Sequence, residues 1–230
     1  MTSLPYLKLL SQESAAFSAC LGQDLSAPVP HCGDWTLRDL AEHMGQGNRW
    51  ATAAVTEKRG DYEAPPAPQA DEEVRGWFDA SADELLAVLD TDPAIEAWTI
   101  YPPHTVGFWQ RRRAHEMVIH RWDAQNALGP ALPLDPQFAA DGVAEVFDTM
   151  APRQVKLGRS EPPRHALRLR ATDTGHSWTY GLDEPVAEVS GKAERLLLML
   201  WGRMPTDDAS ISWSGDRTAG GAVLAGPITP

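Results

Sequence analysis

Pro130, Pro133 and Pro136 mark the place where the hydrophobic period of this chain changes. Before them, apolar side chains recur every three or four residues. After them, past one more helical stretch, the period moves towards two. A helix buries a stripe and a strand buries one face, so the two halves cannot share one kind of layer. The expectation is an α+β protein in two parts, with a four-helix bundle over residues 1–129 and a small α+β domain over residues 136–230. The chain has 230 residues, enough for one large core or two small ones.

In the first part, residues 3–24 carry Leu7, Leu10, Ser14, Phe17 and Leu21 at helical spacing, and Pro28 and Pro30 close the segment. Thr36 is placed to cap a second helix, running to about Lys58. Asp39 makes an acidic variant of the capping box, and Trp35 precedes the cap as a staple. The prolines within Ala64–Pro68 forbid helix there. A third helix is expected over residues 71–89 with a break near Ser81, and a fourth over residues 106–128 with Gly129 at its C-cap. In the second part a helix over about residues 136–150 leads into strand-like His165–Arg170, Ser177–Tyr180 and Val186–Val189. A helix over Lys192–Trp201 and a last strand over Ala209–Trp213 follow.

The net charge of −12 repels polyanions, and Arg111-Arg112-Arg113 is the only dense basic run. On a helix those three residues point in three directions, so no nucleic-acid stripe forms and no nucleic-acid partner is expected. No segment reaches the roughly 18 apolar residues of a membrane span, and the opening MTSLPYLKLLSQ lacks the pattern of a signal peptide. Two cysteines, Cys20 and Cys32, make no disulfide framework or all-thiol zinc site. A cytoplasmic monomer or homodimer without membrane contact is expected. Cys20 reads as core. Cys32 lies at the mouth of the second helix, where the positive helix end could lower its pKa, or it is simply a small residue in a turn.

The chemistry concentrates in Arg111–Asp123, which reads RRRAHEMVIHRWD. His115 and His120 are five apart and diverge by roughly 140° around a helix, so they cannot share a metal as two zincin histidines do. Glu116 and His120 are four apart, only about 40° in angle, and Asp123 falls near the same face. A polar face inside a bundle is costly unless a metal or hydrogen bonds compensate. His43, between Leu40 and Met44 on the second helix, could supply a third ligand. A His₂Glu set with open positions suits a catalytic ion, zinc best and nickel or another divalent ion next. Asp123 would then orient a ligand or receive a proton. The competing reading is equally simple: an i, i+4 Glu–His pair on a helix surface and histidines satisfied within the protein. Trp50, two turns after His43, lines a pocket or belongs to the core.

Several stretches together resemble the mycothiol-dependent maleylpyruvate isomerase family, within the DinB-like four-helix metalloenzymes. They are Val29–Thr36 with Asp39-Leu40 and His43; Trp98-Thr99; Gly107-Phe108-Trp109; Arg112–Glu116; His120–Asp123; Val189-Ser190-Gly191; Leu196–Arg203; and Ser214-Gly215-Asp216. The resemblance implies a DinB-like bundle, a metal held by His43, Glu116 and His120, and mycothiol as a low-molecular-weight thiol co-substrate. It also implies a small electrophile as substrate, isomerised or conjugated, whose carboxylate is held by an arginine of the second domain. Arg203, ending the Leu-Trp-Gly-Arg run, is the first candidate and Arg217 the second; Arg203 could equally be a charge at a helix C-terminus. The family commonly has Cys-Pro-Gly-Trp before the second helix, where this chain has Cys32-Gly33-Asp34-Trp35. Two other readings stay open. One is a metal-binding or small-molecule-binding module without catalysis; the other is a metal-dependent hydrolase with Asp123 or Glu42 as base.

Overall fold

The computed structural model describes residues 4–230, which divide into two compact units, one ending at Leu132 and one beginning at Pro133. The first unit is a bundle of α1 (Tyr6–Cys20), α2 (Leu37–Thr56), α3 (Asp71–Leu89) and α4 (Val106–Leu128). α1 packs on α4 and α2 on α3, with further contacts of α1 with α3 and α2 with α4. Its core includes Leu10 and Phe17, Leu40 and Met44, Phe78 and Leu85, and Trp109 and Met117. Phe17 and Phe78 meet with ring centroids 4.8 Å apart. Apolar residues at helical spacing on each segment account for this packing.

Local chemistry sets the helix limits. Thr36 Oγ1 accepts from the Asp39 N–H and Asp39 Oδ2 accepts from the Thr36 N–H, the reciprocal pair that starts α2. α1 is shorter than expected and stops at Cys20, two residues before Gly22. α3 runs through Ser81 without a break. The Ser81 hydroxyl donates to the Phe78 carbonyl at 2.6 Å and accepts from Asn48 Nδ2 at 3.0 Å, so it has no unmet need that would open the helix. Gly129 does occupy the α4 C-cap, in extended rather than left-handed backbone.

Two glycines let helices approach α2. A Cβ at Gly45 would lie 2.1 Å from a Trp77 ring carbon of α3, and one at Gly47 would lie 2.8 Å from Arg113 Nη1 of α4. Across the other side of α4, Arg121 Nε donates to Glu13 Oε2 of α1 at 2.6 Å, and its Nη1 donates to the Leu132 carbonyl at 2.9 Å.

The second unit holds α5 (Pro136–Glu145), a π-helical stretch (Val146–Met150), α6 (Ala151–Lys156), β1 (Ala166–Ala171), β2 (Ser177–Tyr180), β3 (Pro185–Gly191), α7 (Ala193–Leu200), β4 (Ser212–Gly215) and α8 (Arg217–Leu224). The strands form one mixed sheet in the order β2-β1-β3-β4, with β1 and β3 parallel and the other pairs antiparallel. Leu167 and Leu169 are buried while Arg168 and Arg170 are exposed, as the alternation of Leu and Arg requires. The helix after Pro136 passes through the wider π turns and on to Lys156. Pro152 lies in the first turn of α6, where its missing N–H makes an ordinary ladder impossible.

The last strand is displaced from the expected Ala209–Trp213. Asp208 Oδ1 accepts from the Ser210 N–H and hydroxyl, which builds a turn there, and β4 begins at Ser212. α8 was not foreseen because Gly220-Gly221 weakens its pattern. It is capped by Asp216 Oδ1, which accepts from the Ala219 N–H at 3.0 Å, and Gly220 admits the Ala187 methyl of β3, 2.7 Å from where its own Cβ would stand. Among the described residues no helix is long and apolar enough to cross a membrane. Replacing Thr36 by Ala removes one member of the reciprocal cap and should cost about 1 kcal/mol, read as a lower urea midpoint with an unchanged slope.

Candidate metal centre

Three helical positions bring their side chains together in the first unit. His43 of α2 and Glu116 and His120 of α4 each offer one donor atom, all within 4.8 Å of one another. His43 Nε2 and Glu116 Oε1 are 3.5 Å apart, and the His43 and His120 rings meet edge to face with centroids 5.2 Å apart. The one-turn spacing of Glu116 and His120 is what aims both at α2. His115 turns elsewhere: it is buried edge-on to Tyr6 of α1, as the five-residue spacing requires.

The two candidate ligands on α4 are held from behind. Glu116 Oε2 accepts from Arg113 Nη1 at 2.6 Å, with Arg112 Nε 3.8 Å away, which leaves Oε1 to face His43. Arg113 is buried, and its Nη2 donates to Asn48 Oδ1 at 2.7 Å and to the Met44 carbonyl. Through Asn48 the chain of donors continues to Ser81. Burial by itself would raise the Glu116 pKa, but Arg113, the hydrogen bond from His43 and Arg112 outweigh it and hold the carboxyl well below its ordinary range.

His120 is positioned by Asp123, which is fully buried: Nδ1 lies 3.0 Å from Asp123 Oδ2. With the carboxylate accepting, Nδ1 carries the proton and Nε2 is the lone-pair nitrogen, the tautomer that a carboxylate behind a ligating histidine selects. Burial lowers the His120 pKa, against the raising effect of Asp123, so the ring is neutral at neutral pH.

Two imidazoles and a carboxylate this close together could hold a divalent ion. Bonds of about 2.0–2.2 Å in a tetrahedron separate nitrogen and oxygen donors by about 3.3 Å, close to the 3.5 Å between His43 and Glu116. Two imidazoles, one carboxylate held anionic and a carboxylate behind one imidazole are what zinc or a similar ion takes. The His43 side chain is 40% exposed, so the set has a solvent-facing side.

Sequence reasoning missed three neighbours. Cys32 is half-buried and its Sγ donates to Asp123 Oδ2 at 3.6 Å, so it adjoins the centre. Trp35 packs its ring on His43 with centroids 5.0 Å apart. Arg113 was one of three charges in a row, and nothing in that run distinguishes the buried members from Arg111.

The remaining candidates have other surroundings. Trp50 donates from Nε1 to the Gly60 carbonyl and sits in an aromatic cluster with Trp98 and Trp109. Arg203 and Arg217 belong to the second unit. Arg203 donates from Nη1 to the Trp201 carbonyl at 2.7 Å, just past α7, and Arg217 is exposed at the start of α8, over the Trp213 ring. Cys20 is buried and donates to the Ala16 carbonyl within α1.

The profile for the mycothiol maleylpyruvate isomerase N-terminal domain matches residues 7–125, more than half the chain, and the C-terminal domain profile of the same family matches residues 137–222. The chain belongs to the mycothiol maleylpyruvate isomerase family. Its fold is that of the crystal structure of the mycothiol-dependent maleylpyruvate isomerase, with a TM-score of 0.66 at 18% identity over 93% of this chain and 96% of that one. A histidine-to-alanine variant of that enzyme superposes equally well, at 17% identity. At these identities the likeness concerns the fold. Uncharacterized proteins from two strains of Mycobacterium tuberculosis are each 26% identical over 149 residues, covering 60% of this chain and 75% of theirs.

Replacing Arg113 by Met would leave Glu116 Oε2 and buried Asn48 Oδ1 without their donor. Because Glu116 is partly exposed, the loss should fall at the low end for a broken buried pair, about 3 kcal/mol, measured by urea denaturation.

Proposed function

We propose that the protein is a metal-dependent, thiol-using enzyme of the isomerase or S-transferase type, with His43, Glu116 and His120 as ligands and mycothiol as the thiol. The carrying observation is the convergence of those three donors, with Glu116 backed by Arg113 and His120 by Asp123. A divalent ion there would lower the pKa of a coordinated thiol and make thiolate available at neutral pH. Zinc suits the nitrogen and carboxylate donors, with nickel the next candidate.

The protein's own residues have definite tasks in this reading. Arg113 and Arg112 keep Glu116 ionised. Asp123 holds the Nδ1 proton of His120 and so keeps Nε2 a lone-pair donor. Trp35 packs against the His43 ring and helps to hold it in place. The substrate class is a small electrophile with a double bond conjugated to a carbonyl. Sulfur adds to that bond and the electron pair moves onto the carbonyl oxygen. Rotation about the new single bond and return of the pair with expulsion of sulfur give the isomer, whereas release of the protonated adduct gives transfer. The substrate carboxylate role falls to Arg203 first and Arg217 second, since a guanidinium fork matches a carboxylate. Two cysteines outside any disulfide suit a reducing, cytoplasmic setting.

Maleylpyruvate and a panel of related electrophiles, incubated with the protein with and without mycothiol, test the reading. Isomer or mycothiol conjugate should form only with both thiol and protein, cease after stripping with a chelator, and return on adding zinc or nickel. Turnover of a substrate that needs no thiol, or none with any electrophile, would contradict it.

A further inference from the structure

Behind His120 lies a second group of donors that the proposed centre does not use as ligands. Cys32 Sγ, Asp123 and His120 each offer one donor atom within 4.8 Å of the others. Cys32 Sγ is 3.6 Å from Asp123 Oδ2, and His120 Nδ1 is 3.0 Å from the same oxygen. A tetrahedral ion with bonds of about 2.3 Å to sulfur and 2.0–2.2 Å to nitrogen and oxygen sets its sulfur and oxygen donors about 3.5 Å apart and its nitrogen and oxygen donors about 3.3 Å apart. These two spacings therefore need shifts of only a few tenths of an ångström, and the third, from Cys32 Sγ to His120, lies within 4.8 Å. The turn that presents Cys32 is pinned: residues on either side, His31 and Gly33, have φ of 70° and 63°, and the Cys32 carbonyl accepts from the Trp35 N–H. Asp123 is fully buried, while Cys32 is half-buried and accessible to an incoming ion.

We propose that Cys32, Asp123 and the Nδ1 of His120 form a second metal position, selective for thiophilic divalent ions and exclusive of the first. Thiolate among the donors favours zinc and cadmium over magnesium or manganese. Binding releases the Cys32 thiol proton to solvent. The Nδ1 proton of His120 moves to Nε2, so the neutral ring can no longer ligate on the side of His43 and Glu116. One ring thus serves one position or the other, and a thiophilic ion held by Cys32 blocks the centre proposed for the thiol. The set is independent of His43 and Glu116 and shares only His120 with them.

The test is titration of the metal-stripped full chain with cadmium ion, reading the ultraviolet thiolate-to-cadmium charge-transfer band. Affinity alone does not decide, because losing an outer partner of a ligand also weakens binding, by about 10–100-fold. The band should appear with one equivalent of cadmium, persist in Cys20→Ser and His43→Ala, vanish in Cys32→Ser, and be absent with magnesium. Modification of wild-type Cys32 by iodoacetamide, mapped by mass spectrometry, should be blocked by cadmium and not by magnesium, which needs no variant to fold. No band, or a band lost in Cys20→Ser, or unprotected Cys32, overturns the proposal. Cadmium bound without a band and lost in His43→Ala would leave the first centre standing and remove this one. A band that persists with no His43-dependent metal binding would do the reverse.

Discussion

The contact between Glu116 and Arg113 is the constraint on which the candidate centre depends. A carboxylate facing into a bundle would ordinarily take up a proton or turn to solvent. Here Arg113, itself buried, occupies one oxygen and leaves the other for His43. Arg113 is in turn anchored on α2 through Asn48 and the Met44 carbonyl, and through Asn48 on Ser81 of α3. The geometry of one candidate ligand is therefore fixed by three helices. Gly47 belongs to the same arrangement, because a side chain there would press on the guanidinium.

His120 is supported by a different device. Asp123, one turn further along α4, sets its tautomer, and burial keeps its ring neutral. The two supports are complementary: one preserves a negative charge, and the other fixes the tautomer of a ring that burial keeps neutral. A cation is favoured by both. With Asp123 also accepting from Cys32, the polar surroundings of the ring extend to the turn that precedes α2.

Much of this was legible in the sequence. The four-residue spacing of Glu116 and His120, the seven to Asp123 and the five that excludes His115 are helical arithmetic. The partner helix was legible through the Thr36–Asp39 cap, which placed His43 on a defined face. What spacing could not reveal were contacts between distant segments. Trp35 read as a staple, yet its ring lies on His43; Cys32 is 91 positions from the Asp123 it meets. Arg113 was hidden in a run of three arginines whose burial depends on the room left at Gly47. In the second unit α8 was hidden by a glycine pair of which Gly220 admits the close approach of β3.

His43, Glu116 and His120 are proposed to hold one divalent ion. Elemental mass spectrometry of protein purified without added metal, beside His43→Ala and Glu116→Ala, tests this assignment most directly. The wild type should carry close to one equivalent of zinc or a related divalent ion, and both variants should lose most of it with the helical content unchanged. Less than about a tenth of an equivalent in the wild type, or undiminished metal in both well-folded variants, would contradict it.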